Sequence, residues 1–376
     1  MKYPLRIGTA SDLHLGHPRN ATPFIIENLK KAFPDNAETA ELDMIVLVGD
    51  VFDGLLSLPD KVITDIDFWI IGLLRLCAKH DIVLRVLEGT PSHDWKQSQR
   101  FVTWNEGANI GCDLKYVKNL EIEYIERFDA NVLYIPDEWD PSTAKTLEQV
   151  KALMAFKNLQ QVDFAFMHGQ FEYQLPPVVK APKHDSAEYL KIVKHLIFIG
   201  HVHLFSQYER IVAQGSFDRL AHNEEGAKGH VRAVVQDEHN WQIKFIENKG
   251  ARKFVTIGVI GYDPVTCFGE IESRIYDDDI PEDSFIRIEC EKGHPLLNSL
   301  DQLIRKWPAF TWSSIVRGDD PDSPAVYPDS ELNDDDYHPI QITRDNVIDL
   351  VTQHLRNKQA ANDMVDSVAG AMKAIL

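Results

Sequence analysis

The sequence has few cysteines and places them far apart. Its 376 residues include four, Cys77, Cys112, Cys267 and Cys290. No two of them have the close spacing that binds structural zinc or forms a redox disulfide. This excludes a thiolate zinc fold and a disulfide-stabilised scaffold. Scattered single cysteines are typical of a reducing compartment, so we expect free thiols.

The sequence also shows no long apolar run and no signal-peptide pattern in its first residues. The opening stretch "MKYPLRIGTASD" passes from a short basic turn directly into a strand-like run that ends in an acid, unlike a signal peptide. No apolar run reaches the roughly 20 residues that a helix needs to cross a bilayer. We therefore expect a soluble, cytoplasmic protein that has no membrane partner.

Basic residues are fewer than acidic residues. There are 39 Lys and Arg against 58 Asp and Glu, which gives a net charge of −19. Because such a charge repels nucleic acid at long range, it excludes a simple basic DNA-binding module. Much of the excess lies in "YDDDIPED" at 276–283 and in the acidic run at 317–339. Acids mixed with Pro and Ser, without EF-hand spacing, indicate exposed loop or linker.

The first 250 residues alternate between strand-like and helix-like patterns. Helical periodicity is clear in 60–79, where apolar residues recur at spacings of three and four. Short Val- and Ile-rich runs, typical of buried strands, end in polar or glycine-containing turns. These runs are "LRIGTASD", "DMIVLVGD", "DIVLRVLEG", "NVLYIPD", "DFAFMHG" and "HLIFIGHVH". This alternation predicts a layered α/β domain.

Later segments divide the rest of the chain. Strand-like patterns at 210–217, 230–248 and 253–264, with a hairpin across "DEHN", are expected to complete the large sheets. A smaller strand-and-helix unit is expected at 263–316, which leaves 1–262 as the main domain. An acidic linker at 317–340 then leads to a tail at 341–376 with one or two helices.

Polar side chains follow the first two predicted strands. The first run ends in "SDLHLGH", which places Asp12 and His14 two residues apart, so both can face a common centre. The second run ends in "VGDVFD", where Asp50 directly follows Gly49. Ligands of open α/β sheets bind beyond the carboxyl ends of strands. Because a carboxylate has two oxygens, Asp50 is the candidate to bridge two cations.

Later strand ends add imidazoles. "FAFMHG" ends at His168, and "IFIGHVH" supplies His201 and His203. Any one of these residues, alone, is more often a turn former, a helix cap or a hydrogen-bonded core residue. Their joint, ordered appearance predicts a metal site. Carboxylate and imidazole ligands without thiolate fit manganese, iron, zinc or magnesium, and the ligand set leaves the choice open.

Taken in chain order, these motifs resemble calcineurin-like metallophosphoesterases, whose fold is two sheets flanked by helices. The matching motifs are Asp12-x-His14, Gly49-Asp50-x-x-Asp53, the loop ending His93-Asp94, His168-Gly169 and Gly200-His201-x-His203. "TASDLHLGH", "GDVFD" and "GHVH" followed by "AQGSFDRL" are most similar to SbcD-type DNA nucleases and their phage relatives. The resemblance covers residues 1 to about 250 well, 265–316 weakly as a capping, DNA-recognition unit, and the tail by position.

The resemblance implies two divalent metal ions, with manganese expected first and Mg, Fe or Zn as alternatives. One ion would be held by Asp12, His14, Asp50 and His203, and the other by Asp50, His168 and His201. The family's remaining ligand is the Asn of Gly-Asn-His-Asp, which is absent from "GTPSHD" at 89–94. Ser92 is the candidate replacement, with water or Thr90 as alternatives, and we expect the second ion to bind more weakly.

The resemblance also implies an activity. His93 would handle the proton or charge of the leaving oxygen, a role suited to an imidazole. The expected function is a manganese-dependent DNA exonuclease, with endonuclease activity open, that acts with an SbcC-like ATPase in repair or recombination. Because the C-terminal segment of the resembled nucleases binds the ATPase, the helical tail at 341–376 is the expected contact, and packing on the protein's own core is the alternative. Its two apolar stripes are Val347, Ile348, Val351 and Leu355, and Met364, Val365, Val368 and Met372. A homodimer is left open. The alternatives are a phosphatase or small-molecule phosphodiesterase of the same fold, and a non-catalytic scaffold.

Overall fold

The computed structural model describes most of the chain. The described residues are 1–56, 61–137, 142–176, 179–222, 224, 226–237, 239–317, 348, 351–352 and 362–375. They fall into two units, Met1–Val326 and Tyr327–Leu376.

The first large sheet has six strands in the order β12-β11-β1-β2-β3-β4. Strands β1 to β4 are parallel, because helices connect them, and β11 and β12 form an antiparallel hairpin beside β1. The hairpin joins Val235 to Trp241, around the predicted position. The strands are β1 (Leu5–Ala10), β2 (Met44–Val48), β3 (Val83–Leu87), β4 (Leu114–Val117), β11 (Gly229–Val235) and β12 (Trp241–Glu247).

The second large sheet also has six strands, in the order β5-β6-β7-β8-β10-β9. Strands β6, β7, β8 and β10 are parallel, and the two edge strands are antiparallel to their neighbours. The strands are β5 (Glu121–Ile125), β6 (Ala130–Ile135), β7 (Phe164–Gly169), β8 (Ile197–His201), β9 (Ser206–Tyr208) and β10 (Ile211–Ala213).

The two sheets pack face to face around a shared core. In β2, Val46 and Val48 point into this core, whereas Ile45 and Leu47 point to the opposite face, under the helices. In β7, Phe166 faces the shared core. Side chains of a strand alternate between its two faces, so strands that are buried on both sides become continuously apolar.

Helices cover the outer faces of both sheets. Helices α1 (Thr22–Ala32), α3 (Lys61–His80) and α5 (Gln99–Gly107) pack on the first sheet, and α6 (Thr143–Phe156) and α7 (Ser186–Ile192) pack on the second. Short helices α2 (Ala37–Ala40) and α4 (Pro91–Asp94) complete this layer. The predicted double-sheet α/β sandwich flanked by helices is therefore confirmed.

A third, smaller sheet corrects one prediction. The strand at β13 (Phe254–Gly258) was expected to complete the large sheets, but it pairs with β14 (Phe285–Glu291), and β15 (Thr311–Arg317) follows. Helices α8 (Pro264–Asp277) and α9 (Leu300–Lys306) connect these parallel strands. The expectation was wrong because a strand's alternation does not specify its partner. Here the Phe254 and Phe285 rings stack with centroids 4.4 Å apart.

The second unit contains a helix, α10 (Asn362–Ile375). This confirms a helical tail, and α10 carries the apolar residues Met364, Val365, Val368 and Met372. Of the predicted linker, all but Arg317 lies outside the described residues, as do Val347 and Leu355 of the tail's first predicted apolar stripe. Among the described residues, no helix combines the length and apolarity needed to cross a membrane.

Candidate metal centre

The candidate ligands meet where strands of the two sheets end. The backbone N–H groups of Leu13 and His14 donate to the Asp50 carbonyl, at 2.8 and 3.1 Å, which joins the loops after β1 and β2. The His201 N–H donates to the Asp12 carboxylate at 3.0 Å and connects the second sheet to the first. The structure thus brings together residues that are up to 191 positions apart, from Asp12 to His203.

The backbone here is unusual. Asp12, His14, Asp50 and His201 have φ angles of 52, 48, 49 and 93°. This left-handed region is uncommon for residues with a side chain and costs on the order of 1–3 kcal/mol each. Such strain persists only where surrounding contacts enforce it, and it concentrates at functional sites.

Two glycines permit the close approach of the ligands. A Cβ on Gly49, whose φ is 83°, would lie 2.2 Å from His168 Nδ1. A Cβ on Gly200 would lie 2.0 Å from Ser11 Oγ and 2.8 Å from the same His168 nitrogen. Any side chain at either position would therefore displace His168.

The first ligand group consists of Asp12, His14 and His203. The Nε2 atoms of His14 and His203 lie 3.2 Å apart, and His203 Nε2 is 3.7 Å from Asp12 Oδ1. The Nδ1 atoms face carboxylates instead: His14 Nδ1 is 2.8 Å from Asp53 Oδ1, and His203 Nδ1 is 2.8 Å from Glu224 Oε1.

The protonation of these carboxylates determines the tautomers of both histidines. Burial opposes ionisation of Asp53, but hydrogen bonds from His14 and His93 hold its pKa below the usual range. Burial likewise opposes ionisation of Glu224, whereas His203 and Lys228 hold its pKa low. An ionised carboxylate only accepts, so both Nδ1 atoms donate. When both rings are neutral, their Nε2 lone pairs face each other, and a cation between them would satisfy both.

The second ligand group consists of Asp50, His168 and His201. His168 Nδ1 lies 2.7 Å from the Val48 carbonyl, which only accepts, so this nitrogen donates. His168 Nε2 is fully buried, makes no hydrogen bond, and lies 3.2 Å from Asp50 Oδ2. Burial opposes protonation of His168, but the charge of Asp50 outweighs it and raises the His168 pKa. The unpartnered Nε2 and the raised pKa of His168 both indicate that positive charge is favoured beside His168 Nε2.

The two groups are adjacent and fit divalent cations. His168 Nε2 lies 4.0 Å from Asp12 Oδ1 of the first group. Imidazole nitrogens that converge with carboxylate oxygens are a donor set for Mn, Fe, Zn or Mg. The six predicted ligands, Asp12, His14, Asp50, His168, His201 and His203, thus fall into these two groups. The first ligand group does not include Asp50, so the bridging role of Asp50 stays a prediction.

The loop "GTPSHD" is organised by Asp94. Its fully buried carboxylate accepts the backbone N–H groups of Asp50, Phe52 and Gly89, at 3.1, 2.9 and 2.7 Å. Burial and the nearby charges of Asp50 and Glu88 raise the pKa of Asp94. This acid connects the loops that follow β2 and β3, so its contacts are structural.

Within this loop, Thr90 rather than Ser92 has a side-chain contact with the second group. Thr90 Oγ1 lies 3.1 Å from Asp50 Oδ2 and 3.5 Å from His201 Nδ1. The described contact of Ser92 is its carbonyl, which accepts from the Trp95 indole at 2.7 Å. Pro91 begins α4 and leaves Thr90 at the cap beside the strand ends. The ligand role of Ser92 stays a prediction.

His93 lies at the edge of the first group. Its ring meets His14 edge-on, with centroids 4.9 Å apart, and its Nδ1 is 3.6 Å from Asp53 Oδ1. Because Asp53 also accepts from His14, one carboxylate orients both imidazoles. His93 keeps 16% of its side chain exposed, so it can reach a substrate.

Sequence reasoning assigned no role to three acids of this site. Asp53 was recognised only as part of a motif. Asp137 ends the run "NVLYIPD", which is the same strand-end signal that the six candidate ligands show. Glu224 follows His203 by 21 residues in a loop, with no sequence signal. Lys228 is 3% exposed and lies 2.8 Å from Glu224. Its ammonium also donates to the His203 carbonyl at 2.8 Å.

Comparisons with known proteins give limited similarity. No family model matches the chain, and no curated protein matches it. Two crystal structures each align over 64% of this chain and 99% of their own. One is 16% identical with a TM-score of 0.38. The other, TT1561 of Thermus thermophilus, is 12% identical with a TM-score of 0.39. Similarity at this level assigns neither family nor activity.

Proposed function

We propose that this chain is a calcineurin-like metallophosphoesterase that hydrolyses phosphodiester bonds of DNA. The observation that carries the proposal is the pair of adjacent ligand groups, whose imidazole lone pairs converge with carboxylates, with His93 at their edge. The ordered motifs that contain these residues resemble SbcD-type nucleases and imply the same chemistry. A scaffold without activity would not need the strained backbone of four candidate ligands.

Different residues of the site have different roles in the proposed hydrolysis. Asp12, His14 and His203 would hold one cation, and Asp50, His168 and His201 another, with Asp50 the proposed bridge. When bound, such cations supply Lewis-acid stabilisation of phosphate oxygens and a nucleophile at neutral pH. His93 would protonate the leaving oxygen, and ionised Asp53 stabilises its imidazolium form at 3.6 Å.

DNA is favoured over small phosphodiesters by resemblance to nucleases and by the three-stranded unit after the sandwich. The acidic net charge of −19 opposes DNA binding, and bound cations offset it locally. Arg100 is neutralised by a bidentate pair with Asp67. Arg219 donates to the backbone carbonyls of Ala251 and Gly226. We propose an SbcC-like ATPase as the partner that supplies further DNA contacts.

The test uses the purified full chain with Mn²⁺ on linear and circular DNA, and on a chromogenic phosphodiester. We expect cleavage of linear DNA that a chelator abolishes. His93→Gln should bind metal but lose cleavage, whereas Asp50→Ala should lose metal. Asp301→Ala removes an exposed carboxylate paired with Arg305 on α9 and serves as the control. Cleavage of the chromogenic ester alone would favour a small-molecule phosphodiesterase, and no cleavage of any substrate would overturn the proposal.

A further inference from the structure

Asp137 brings a carboxylate to the second ligand group from a strand that supplies no predicted ligand. It follows β6 in the second sheet, two residues beyond Ile135. Its Oδ2 lies 3.6 Å from His201 Nδ1 and 3.1 Å from Thr90 Oγ1. Its side chain is 12% exposed, so it faces the interior of the site more than solvent.

The distances around this group are those between neighbouring ligands of one cation. Metal–ligand bonds of roughly 2.0–2.2 Å place adjacent ligand atoms roughly 2.9–3.6 Å apart in octahedral or tetrahedral geometry. Thr90 Oγ1 lies 3.1 Å from Asp50 Oδ2, 3.1 Å from Asp137 Oδ2 and 3.5 Å from His201 Nδ1. His168 Nε2 lies 3.2 Å from Asp50 Oδ2. The fifth separation, from His201 Nδ1 to Asp137 Oδ2, is 3.6 Å. All five separations fall in the range expected for ligands of one cation.

The Thr90 hydroxyl cannot donate to both neighbouring carboxylates. It has one proton, but Asp50 Oδ2 and Asp137 Oδ2 each lie 3.1 Å from Thr90 Oγ1, so it donates to one of them only. The fully buried His168 Nε2 makes no hydrogen bond and lies 3.2 Å from Asp50 Oδ2 on the other side of the group. A cation placed among these oxygen and nitrogen atoms would interact favourably with all of them.

We infer that the Asp137 carboxylate, supported by the Thr90 hydroxyl, is the remaining ligand of the second cation. It takes the place that an Asn occupies in the resembled enzymes. The inference deepens the proposed function and rests on it, since it assumes that this site binds divalent metal. A carboxylate is a harder and more strongly charged donor than an amide oxygen, so it favours Mn²⁺ or Mg²⁺. It also offsets the weakening expected from the missing Asn.

The test is a titration of the metal-free full chain with Mn²⁺. Calorimetry and the electron paramagnetic resonance signal of free Mn²⁺ measure the binding. Wild type should bind two ions. Loss of an outer-shell partner weakens metal binding about 10–100-fold, and loss of a direct ligand should cost at least the upper value. Asp137→Ala should therefore lose one ion, with affinity lowered about 100-fold or more, and retain the other.

Two further variants separate a ligand from a merely structural residue. Asp137→Asn offers the neutral amide oxygen of the resembled enzymes, so its second affinity should fall between those of wild type and Asp137→Ala. Asp301→Ala, which removes an exposed carboxylate on α9, should bind two ions as wild type does. Circular dichroism spectra of each variant check the fold.

The outcomes distinguish this inference from the proposed function. If Asp137→Ala binds two ions as tightly as wild type, Asp137 is not a ligand, whatever the nuclease assay shows. If wild type binds two ions and needs Asp137 for one of them but cleaves no DNA, the ligand assignment stands and the proposed function fails. A wild-type chain that binds fewer than two ions overturns the inference.

Discussion

Replacing Asp53 should reveal that one carboxylate serves two histidines. Asp53 Oδ1 accepts from His14 Nδ1 at 2.8 Å and lies 3.6 Å from His93 Nδ1. Through His14 it acts on metal affinity, where losing such a partner costs about 10–100-fold. Through His93 it acts on proton transfer, which contributes about 10²–10⁴-fold. At saturating Mn²⁺, Asp53→Ala should therefore lower kcat by about 10²–10⁴-fold.

A double-mutant cycle separates the two routes. With His93→Gln already in place, the proton-transfer contribution is gone, so adding Asp53→Ala should leave kcat at saturating Mn²⁺ nearly unchanged and lower only the Mn²⁺ affinity, by about 10–100-fold through His14. The assay is hydrolysis of a chromogenic phosphodiester or of linear DNA, with Mn²⁺ affinity measured in parallel. Effects on kcat that multiply, as though the two residues were independent, would refute the shared-carboxylate reasoning. Asp301→Ala again controls for loss of an acid elsewhere.

Three further predictions concern stability and assembly. Asp94→Ala leaves three buried N–H groups without their acceptor, at about 1–3 kcal/mol each, so urea denaturation should show a loss of at least about 3 kcal/mol; an unchanged midpoint would contradict this. Burial lowers the His230 pKa to about 3, so the unfolded chain binds more protons below pH 6.5. Stability should fall as pH drops from 7 to 5, by about 2 kcal/mol from His230, and His230→Gln should remove that part of the slope; an identical slope would exclude this residue. Deleting 340–376 should leave a folded, metal-binding nuclease that no longer co-purifies with the ATPase; undiminished association would place the interface elsewhere.

Much of the fold could be predicted because its signals are local. Strands buried on both faces are continuously apolar, and helices repeat every three to four residues, so both patterns are visible without knowledge of their neighbours. The six candidate ligands were found in the same way, since each lies at or just beyond the end of an apolar run. Pairing between distant segments is not a local property. The strand at 254–258 therefore showed a strand pattern but no preference for the small sheet it joins.

The supporting acids depended on tertiary structure for the same reason. Nothing in the sequence relates Glu224 to His203, because their contact at 2.8 Å arises only when a loop returns to the end of β8. Asp137 lies at a strand end like the candidate ligands, but only the strand order of the second sheet, in which β7 alone separates β6 from β8, places it 3.6 Å from His201. In the loop "GTPSHD", which lacks Asn, the sequence offered both Thr90 and Ser92 as candidate oxygen ligands. The structure places the Thr90 hydroxyl beside Asp50 and His201. The sequence alone determined which residue types are available for chemistry, and the tertiary structure decided which of them meet, because convergence depends on how distant strand ends pack.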